Sequence, residues 1–188
     1  MIRVIGPRDS KKGKYPIYNI TSSGCAWKCF SPFILGPCYL HYGYVSKTME
    51  NAWQFAKVYR QFADRHNDPT DAYWDWACEG WADTRAHRYP MGKNAIPLYS
   101  YWNGAKLDYI TARRKIYIPL YTKAVTECGR LDAFVQEIEK YDDVWLWDYD
   151  GYDHHALGMK LKDVLACQTR KMGHAFVLLS VLYKCGVH

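Results

Sequence analysis

The stretch Ser46-Lys47-Thr48-Met49-Glu50-Asn51-Ala52-Trp53-Gln54-Phe55-Ala56-Lys57 decides how the rest of the chain is read. Its apolar residues Met49, Ala52, Trp53 and Ala56 recur at helical spacing, and the period continues through Tyr59 and Phe62-Ala63. The spacing predicts a helix from about Lys47 to Asp64 with Ser46 as its cap, because a serine oxygen can accept an unpaired amide of the first turn. The polar residues Glu50, Gln54, Lys57 and Gln61 fall on one face of that helix, opposite the apolar one. At about 1.5 Å of rise per residue, Glu50 and Lys57 stand about 10 Å apart along the axis. That is too far for a direct pair, but the two side chains can reach one ligand from two sides. A solvent-facing stripe is the reading that periodicity alone favours.

Working outward, Asp68-Pro69 reads as an N-cap followed by proline at the first helical position, opening a Trp-rich helix to about Ala86. A loop holds Pro90, Gly92 and Pro97, and the next helix is expected from near Lys106 to Tyr117, where Pro119 breaks or restarts it. Further helical pieces fall at about 119–128 and 131–140, the latter with Leu131, Phe134, Val135 and Ile138 in phase. Val144-Trp145-Leu146-Trp147 is the best strand candidate, being short, β-branched or aromatic, and bounded by acidic turn residues. Helices at about 156–167 and 172–184 close the chain, the last apolar most of the way round and therefore expected in the core. Upstream, residues 17–44 read as loops with short extended pieces such as Tyr39–Tyr42, and residues 1–16 as a flexible basic lead-in carrying Lys11-Lys12-Gly13-Lys14. The resulting expectation is a mainly α, single compact domain over 17–188 with a few short β elements; an α+β fold is the alternative.

Composition bounds the class. The chain has 188 residues, 49% of them apolar, with 17 Tyr and 8 Trp, which suits one domain with a sizeable core. It has no run of about 18 apolar residues and no signal-peptide pattern at Met1-Ile-Arg-Val-Ile-Gly-Pro7, so a cytoplasmic location without membrane contact is expected. A net charge of +6 fits partners that carry phosphate without choosing between nucleic acid and a pyrophosphate ligand. Seven scattered cysteines read as reduced thiols, mostly buried. Cys25, Cys29, Cys38 and His41 are four soft ligands in a short span, but the spacing is not that of a standard zinc finger, and Pro32 and Pro37 stiffen the path between them. No metal is therefore assigned, and a small zinc-stabilised nucleic-acid-binding protein stands as a minor hypothesis. Asp148-Tyr-Asp150-Gly-Tyr-Asp153 lacks the spacing and closing glutamate of a calcium loop and reads as a turn of solvated carboxylates. His154 and His155 read as exposed.

The segment Glu50-Asn51-Ala52-Trp53-Gln54-Phe55-Ala56-Lys57 resembles the helix signature of the NADAR family, in which Glu-His-aromatic-Gln precedes Ala-Lys. Phe30-Ser31-Pro32-Phe33 looks like that family's Phe-Ser-Pro loop, and Leu107-Asp108-Tyr109-Ile110 with Arg113, Ile116 and Tyr117 is similar to its Asp-Trp helix start. Asp142-Asp143-Val144-Trp145 resembles its Asp-x-x-Trp strand, and Arg170-Lys171-Met172-Gly173-His174-Ala175-Phe176 its closing Asn-x-Leu-Gly helix. These motifs keep family order over roughly residues 29–180. Asn51 stands where the family has His, Tyr109 where it typically has Trp (Trp102 being the other candidate), and about 15 extra residues near 153–169 precede the closing helix.

The resemblance implies an N-glycosidase that cleaves a ribose C1–N bond, most directly one that removes ADP-ribose from guanine bases in DNA. Its alternatives are the same reaction on a small nucleotide-like metabolite, or a non-catalytic module that binds ADP-ribose or nucleic acid. Breaking such a bond develops positive charge at the anomeric carbon, which a carboxylate stabilises; Glu50 and Asp142 are the candidates. Lys57 either attacks the ring-opened C1 as an amine or pairs with the ligand's phosphates. Substrate-binding candidates are Phe30, Ser31, Asn51, Trp53, Gln54, Arg88, Lys93, Tyr109, Trp145 and Gly173, the aromatic ones by stacking on a base and Arg88 and Lys93 by meeting phosphate. No cofactor and no obligate protein partner are called for; the expected partner is ADP-ribosylated DNA or a nucleotide-like substrate.

Overall fold

In the computed structural model, which describes residues 1–9 and 15–187, the chain separates into two compact units. One comprises Met1–Pro32 with Tyr121–His188, the other Phe33–Leu120. Helix makes up 39% of the chain and strand 14%, and among the described residues the strands form three small sheets, so the architecture is an α+β mix in which helix predominates. Among the described residues no helix is long and apolar enough to cross a membrane.

The terminal unit is built on a three-stranded parallel sheet. Strand β8 (Val144–Trp147) lies between β1 (Ile2–Ile5) and β2 (Ile17–Asn19), with Ile2 opposite Val144 and Ile17 opposite Trp145. The strand expected at 144–147 is present, and its continuous apolar run suits a central parallel strand covered on both faces. The flexible lead-in is corrected here: Ile2, Val4 and Ile5 are buried and hydrogen-bond along β8. The lysines at 11, 12 and 14 lie outside the described residues. Helix α5 (Leu131–Ile138) buries Leu131, Phe134 and Ile138, as its phase predicts, and Phe134 meets the rings of Phe30 and Trp27. Helix α6 is shorter than expected (Leu161–Ala166), and α7 (His174–Lys184) buries every residue from His174 to Leu179, as an all-round apolar helix should.

The central unit opens with a short antiparallel pair, β3 (Cys38–Tyr39) and β4 (Val45–Ser46), which leads into helix α1 (Met49–Gln54). The helix expected from 47 to 64 is therefore cut to its first part. Thr48, not Ser46, caps it: Thr48 Oγ1 accepts from Asn51 N at 3.1 Å, while Ser46 Oγ donates to the Thr48 carbonyl. Beyond Phe55 the backbone is drawn into a sheet. Ala56 O accepts from Tyr101 N, Val58 O accepts from Leu98 N, and β5 (Lys57–Val58) pairs antiparallel with β6 (Tyr99–Trp102). The apolar residues that mimic a continuing helix are satisfied by packing instead, Phe55, Tyr59 and Phe62 all meeting Trp76.

Helix α2 runs Asp71–Ala82 rather than 69–86, and Pro69 forms an isolated bridge with Ala63 instead of starting it. Gly80 in its interior is accounted for by Phe55: a Cβ there would lie 2.0 Å from the ring, so glycine lets the two elements close up. The region expected as loop contains β6 and β7 (Ala105–Leu107), joined through Asn103 and Gly104 at φ +49 and +78. Asn-Gly with both residues left-handed is the two-residue hairpin turn. Asp108 then caps α3 (Tyr109–Ala112), accepting from Ile110 N and Thr111 N at 2.9 Å each. A π-helical stretch, Arg113–Tyr117, follows, and α4 (Ile118–Glu127) restarts with Pro119 in its first turn.

Candidate functional site

Helix α1 buries Glu50, Asn51, Trp53 and Gln54, leaving Glu50 6% and Gln54 8% exposed. A polar residue removed from water is tolerated when it is hydrogen-bonded. Here the bonds form a chain along the α1 face: Gln54 Nε2 donates to Glu50 Oε1 at 2.8 Å, and Lys57 Nζ donates to Gln54 Oε1 at 2.6 Å. Lys57 belongs to β5 and not to the helix, yet the turn at Phe55–Ala56 brings its ammonium back over α1. It sits 5.0 Å from the centre of the Trp53 ring. Desolvation pushes the Lys57 amine down to about 8, with the charge of Glu50 pulling the other way. At pH 7 about a tenth of that amine is therefore neutral, far more than of an ordinary lysine.

An aromatic wall adjoins this chain. Trp53 packs edge-on against Tyr117 at 5.3 Å and tilted against Tyr109 at 6.2 Å. Tyr109 is half exposed, and Arg113, itself buried, lies 4.7 Å from its ring centre while donating to its hydroxyl at 2.9 Å. A phenol ring fixed from behind by a guanidinium and open in front is a stacking surface for a flat ligand.

Asn51 has a different duty from the one expected. Fully buried, it donates from Nδ2 to the carbonyls of Asp83 and Arg85 at 3.0 and 2.9 Å and accepts from His87 N at 2.8 Å. Its amide is committed to holding the segment after α2. That segment carries Arg88, whose guanidinium lies 5.5 Å from the Tyr89 ring, and leads to the exposed Lys93 in the Gly92 turn.

The remaining candidates belong to the terminal unit. Phe30 and Ser31 are buried, and the Phe30 carbonyl accepts from Tyr121 Oη at 2.7 Å, which is core duty. Trp145 is half-buried beside Tyr15 at 5.8 Å. Asp142 is exposed at the rim of a cavity of about 270 Å³ shared with Ile138, Glu139 and Val187, and its carbonyl accepts from the terminal ammonium of Met1. Gly173 is needed for space: a Cβ there would lie 2.2 Å from Asp148 Oδ2.

That aspartate overturns the picture of a solvated acidic turn. Asp148 is 3% exposed and accepts from His174 Nδ1 at 3.1 Å, Ala175 N at 3.0 Å and Asp150 N at 3.2 Å. His174 Nε2 meets the Ile20 carbonyl at 3.0 Å, and a carbonyl can only accept. Both ring nitrogens therefore donate, and the pair is an imidazolium bound to a carboxylate at the start of α7. Burial raises the Asp148 carboxyl, while His174 and the two amides lower it by more, leaving it below the ordinary range. His154 is also buried, against Phe176, and not exposed.

Among the described residues no group of three or more His, Cys, Asp or Glu side chains can hold a metal ion. His41 is enclosed by aromatic rings, with Trp102 and Tyr42 nearest at 4.5 and 4.6 Å. The zinc reading thus lacks its ligand set. The cysteines are free thiols, and only Cys38 is buried, fewer than expected. The chain matches no protein-family model, no curated protein and no solved structure.

Proposed function

We propose that the chain is an N-glycosidase that cleaves a ribose C1–N bond through Lys57, acting on ADP-ribose attached to guanine in DNA. The observation that carries this reading is the buried relay Glu50–Gln54–Lys57, which ends in an amine pushed down to about 8. An amine meant only to pair with phosphate gains nothing from losing its charge, whereas one that attacks carbon needs its lone pair.

In the proposed reaction the furanose C1–O4 bond breaks as the lone pair of the base nitrogen forms a C1=N bond and O4 takes a proton from solvent; the Lys57 amine then adds to C1, returning the π pair to the base nitrogen. The C1–N bond to the base then breaks with its electron pair going to the base, leaving the sugar as a lysine imine. Water hydrolyses the imine, returning the amine and releasing ADP-ribose, which recloses. Glu50 accepts the proton that the amine loses on attack and stabilises positive charge as it develops near C1. The Tyr109 ring, backed by Arg113 and standing beside Trp53, offers the surface on which a purine stacks. The +6 net charge suits a substrate with a phosphate backbone. Asp142 is assigned no step in this chemistry.

The test is incubation with a guanine-ADP-ribosylated oligonucleotide in the presence of cyanoborohydride. Release of ADP-ribose, together with a sugar adduct that mass spectrometry places on Lys57, is the expected result. Release without any trapped adduct removes the lysine route; no release at all, with free ADP-ribose still bound, leaves a binding module.

A further inference from the structure

Asp83 and His87 stand four residues apart just beyond α2, and His87 Nε2 lies 2.6 Å from Asp83 Oδ2. Both side chains keep contact with solvent, at 25% for His87 and 37% for Asp83. The hydrogen bond from the imidazole holds the Asp83 carboxyl below the ordinary carboxylate range. An ionised carboxylate only accepts, so Nε2 carries the hydrogen of that bond and Nδ1 remains as the working nitrogen. This is the arrangement by which a carboxylate fixes both the tautomer and the ring plane of a histidine that moves protons.

The segment is anchored to α1 far more firmly than a surface loop requires. Asn51 grips it through the carbonyls of Asp83 and Arg85 and the amide of His87, and the His87 ring stands edge-on to Phe55 at 5.9 Å. Residues 51 and 55 form the ridge of α1 beside the one that bears Glu50 and Gln54. Adjacent ridges on a helix about 10 Å across lie within the breadth of one nucleotide.

We propose that His87 is the general acid of the site, with Asp83 as its positioning residue. In the step proposed above, the C1–N bond breaks, its electron pair goes to the base nitrogen, and the proton on His87 Nδ1 goes to that nitrogen. The neutral imidazole is then reprotonated from water after the base has left. This inference rests on the glycosidase reading. It explains why a fully buried asparagine spends its whole side chain on one loop.

The experiment compares wild type, His87→Gln, Asp83→Asn and Lys57→Ala on the guanine-ADP-ribosylated oligonucleotide across pH. The bond that anchors the loop comes from the His87 backbone, so His87→Gln keeps it; an unchanged melting temperature verifies this. His87→Gln is expected to lower kcat by about 10²–10⁴-fold with KM little changed. Asp83→Asn gives a smaller loss of rate, again in kcat, because the ring stays but its plane and tautomer are no longer fixed. Added imidazole restores part of the His87→Gln rate and none of the Lys57→Ala rate. A wild type that releases no ADP-ribose sinks the glycosidase reading and this inference with it. A His87→Gln protein with wild-type kcat sinks this inference alone.

Discussion

Each unit of the molecule buries a cluster of charged and polar side chains, and the two are finished differently. In the terminal unit Asp148 and His174 use their bonding capacity on each other, on two backbone amides and on the Ile20 carbonyl. In the central unit Glu50, Gln54 and Lys57 form an open chain whose last member gives one hydrogen bond to Gln54 and rests on the Trp53 ring. The first cluster is closed and stabilises charge. The second leaves an amine whose charge the surroundings disfavour. A saturated buried pair ties elements together, whereas an unsaturated, desolvated amine at the end of a relay is poised for chemistry.

The largest expected effect sharpens that contrast. Lys57→Ala lowers release of ADP-ribose by about 10²–10⁴-fold or more and leaves thermal stability near wild type. A loss of activity matched by a loss of folded protein returns Lys57 to a structural role. The mirror-image change is Asp148→Ala, which leaves a buried imidazolium without its partner and the start of α7 without its acceptor; a cost of about 3–5 kcal/mol is expected in urea unfolding. If that variant unfolds at the wild-type midpoint, the pair is not the closed cluster described. Next in size, Gly173→Ala pushes a methyl group to within van der Waals overlap of Asp148 Oδ2. About 1–3 kcal/mol of destabilisation follows, because the carboxylate cannot retreat without breaking its bonds to Ala175 and Asp150.

pH separates the two clusters most finely. The folded-state value of Lys57 is depressed from 10.5 to about 8. Between those values the unfolded chain holds a proton that the folded chain has released, so this group makes stability rise with pH from about 8 to 10.5, and the rate of imine formation climbs to a plateau above about 8. The folded-state value of Asp148 is depressed as well, and for a carboxylate the sign reverses. Its contribution is fully present above the ordinary Asp value and is lost as pH falls through the folded one. Urea midpoints measured at pH 3, 7 and 10 should thus fall with Asp148→Asn at pH 7 and 10 and least at pH 3, whereas Lys57→Met should raise them at pH 3 and 7 and least at pH 10.

Several elements could be read directly from the chain. The strand at Val144–Trp147, the phase of α5 and the buried character of α7 follow from local pattern, because each element's burial is written in its own residues. The β6–β7 hairpin is equally legible, since Asn103-Gly104 between Tyr99–Trp102 and Ala105–Leu107 is a direct turn signal, although Gly and Pro nearby suggest a loop. The early end of α1 had no such signal. Its apolar period runs on unbroken, and only the pairing of β5 with β6, from more than 40 residues away, diverts the backbone at Phe55. The burial of Ile2–Ile5 is likewise decided by β8 across most of the chain.

The same division holds for the site. Glu50, Gln54 and Lys57 stood out because four-residue and three-residue spacings place side chains on one face, and that grouping survives even though Lys57 sits on a strand. What spacing cannot express is whether such a face is wet. The sequence by itself determined that these three residues keep company, since the distances involved are a few covalent steps along the backbone. Tertiary structure alone decided that they are dry, that Asn51 holds a loop instead of a ligand, and that this loop carries the Asp83–His87 pair. Desolvation and approach in space depend on chain segments that no local pattern names.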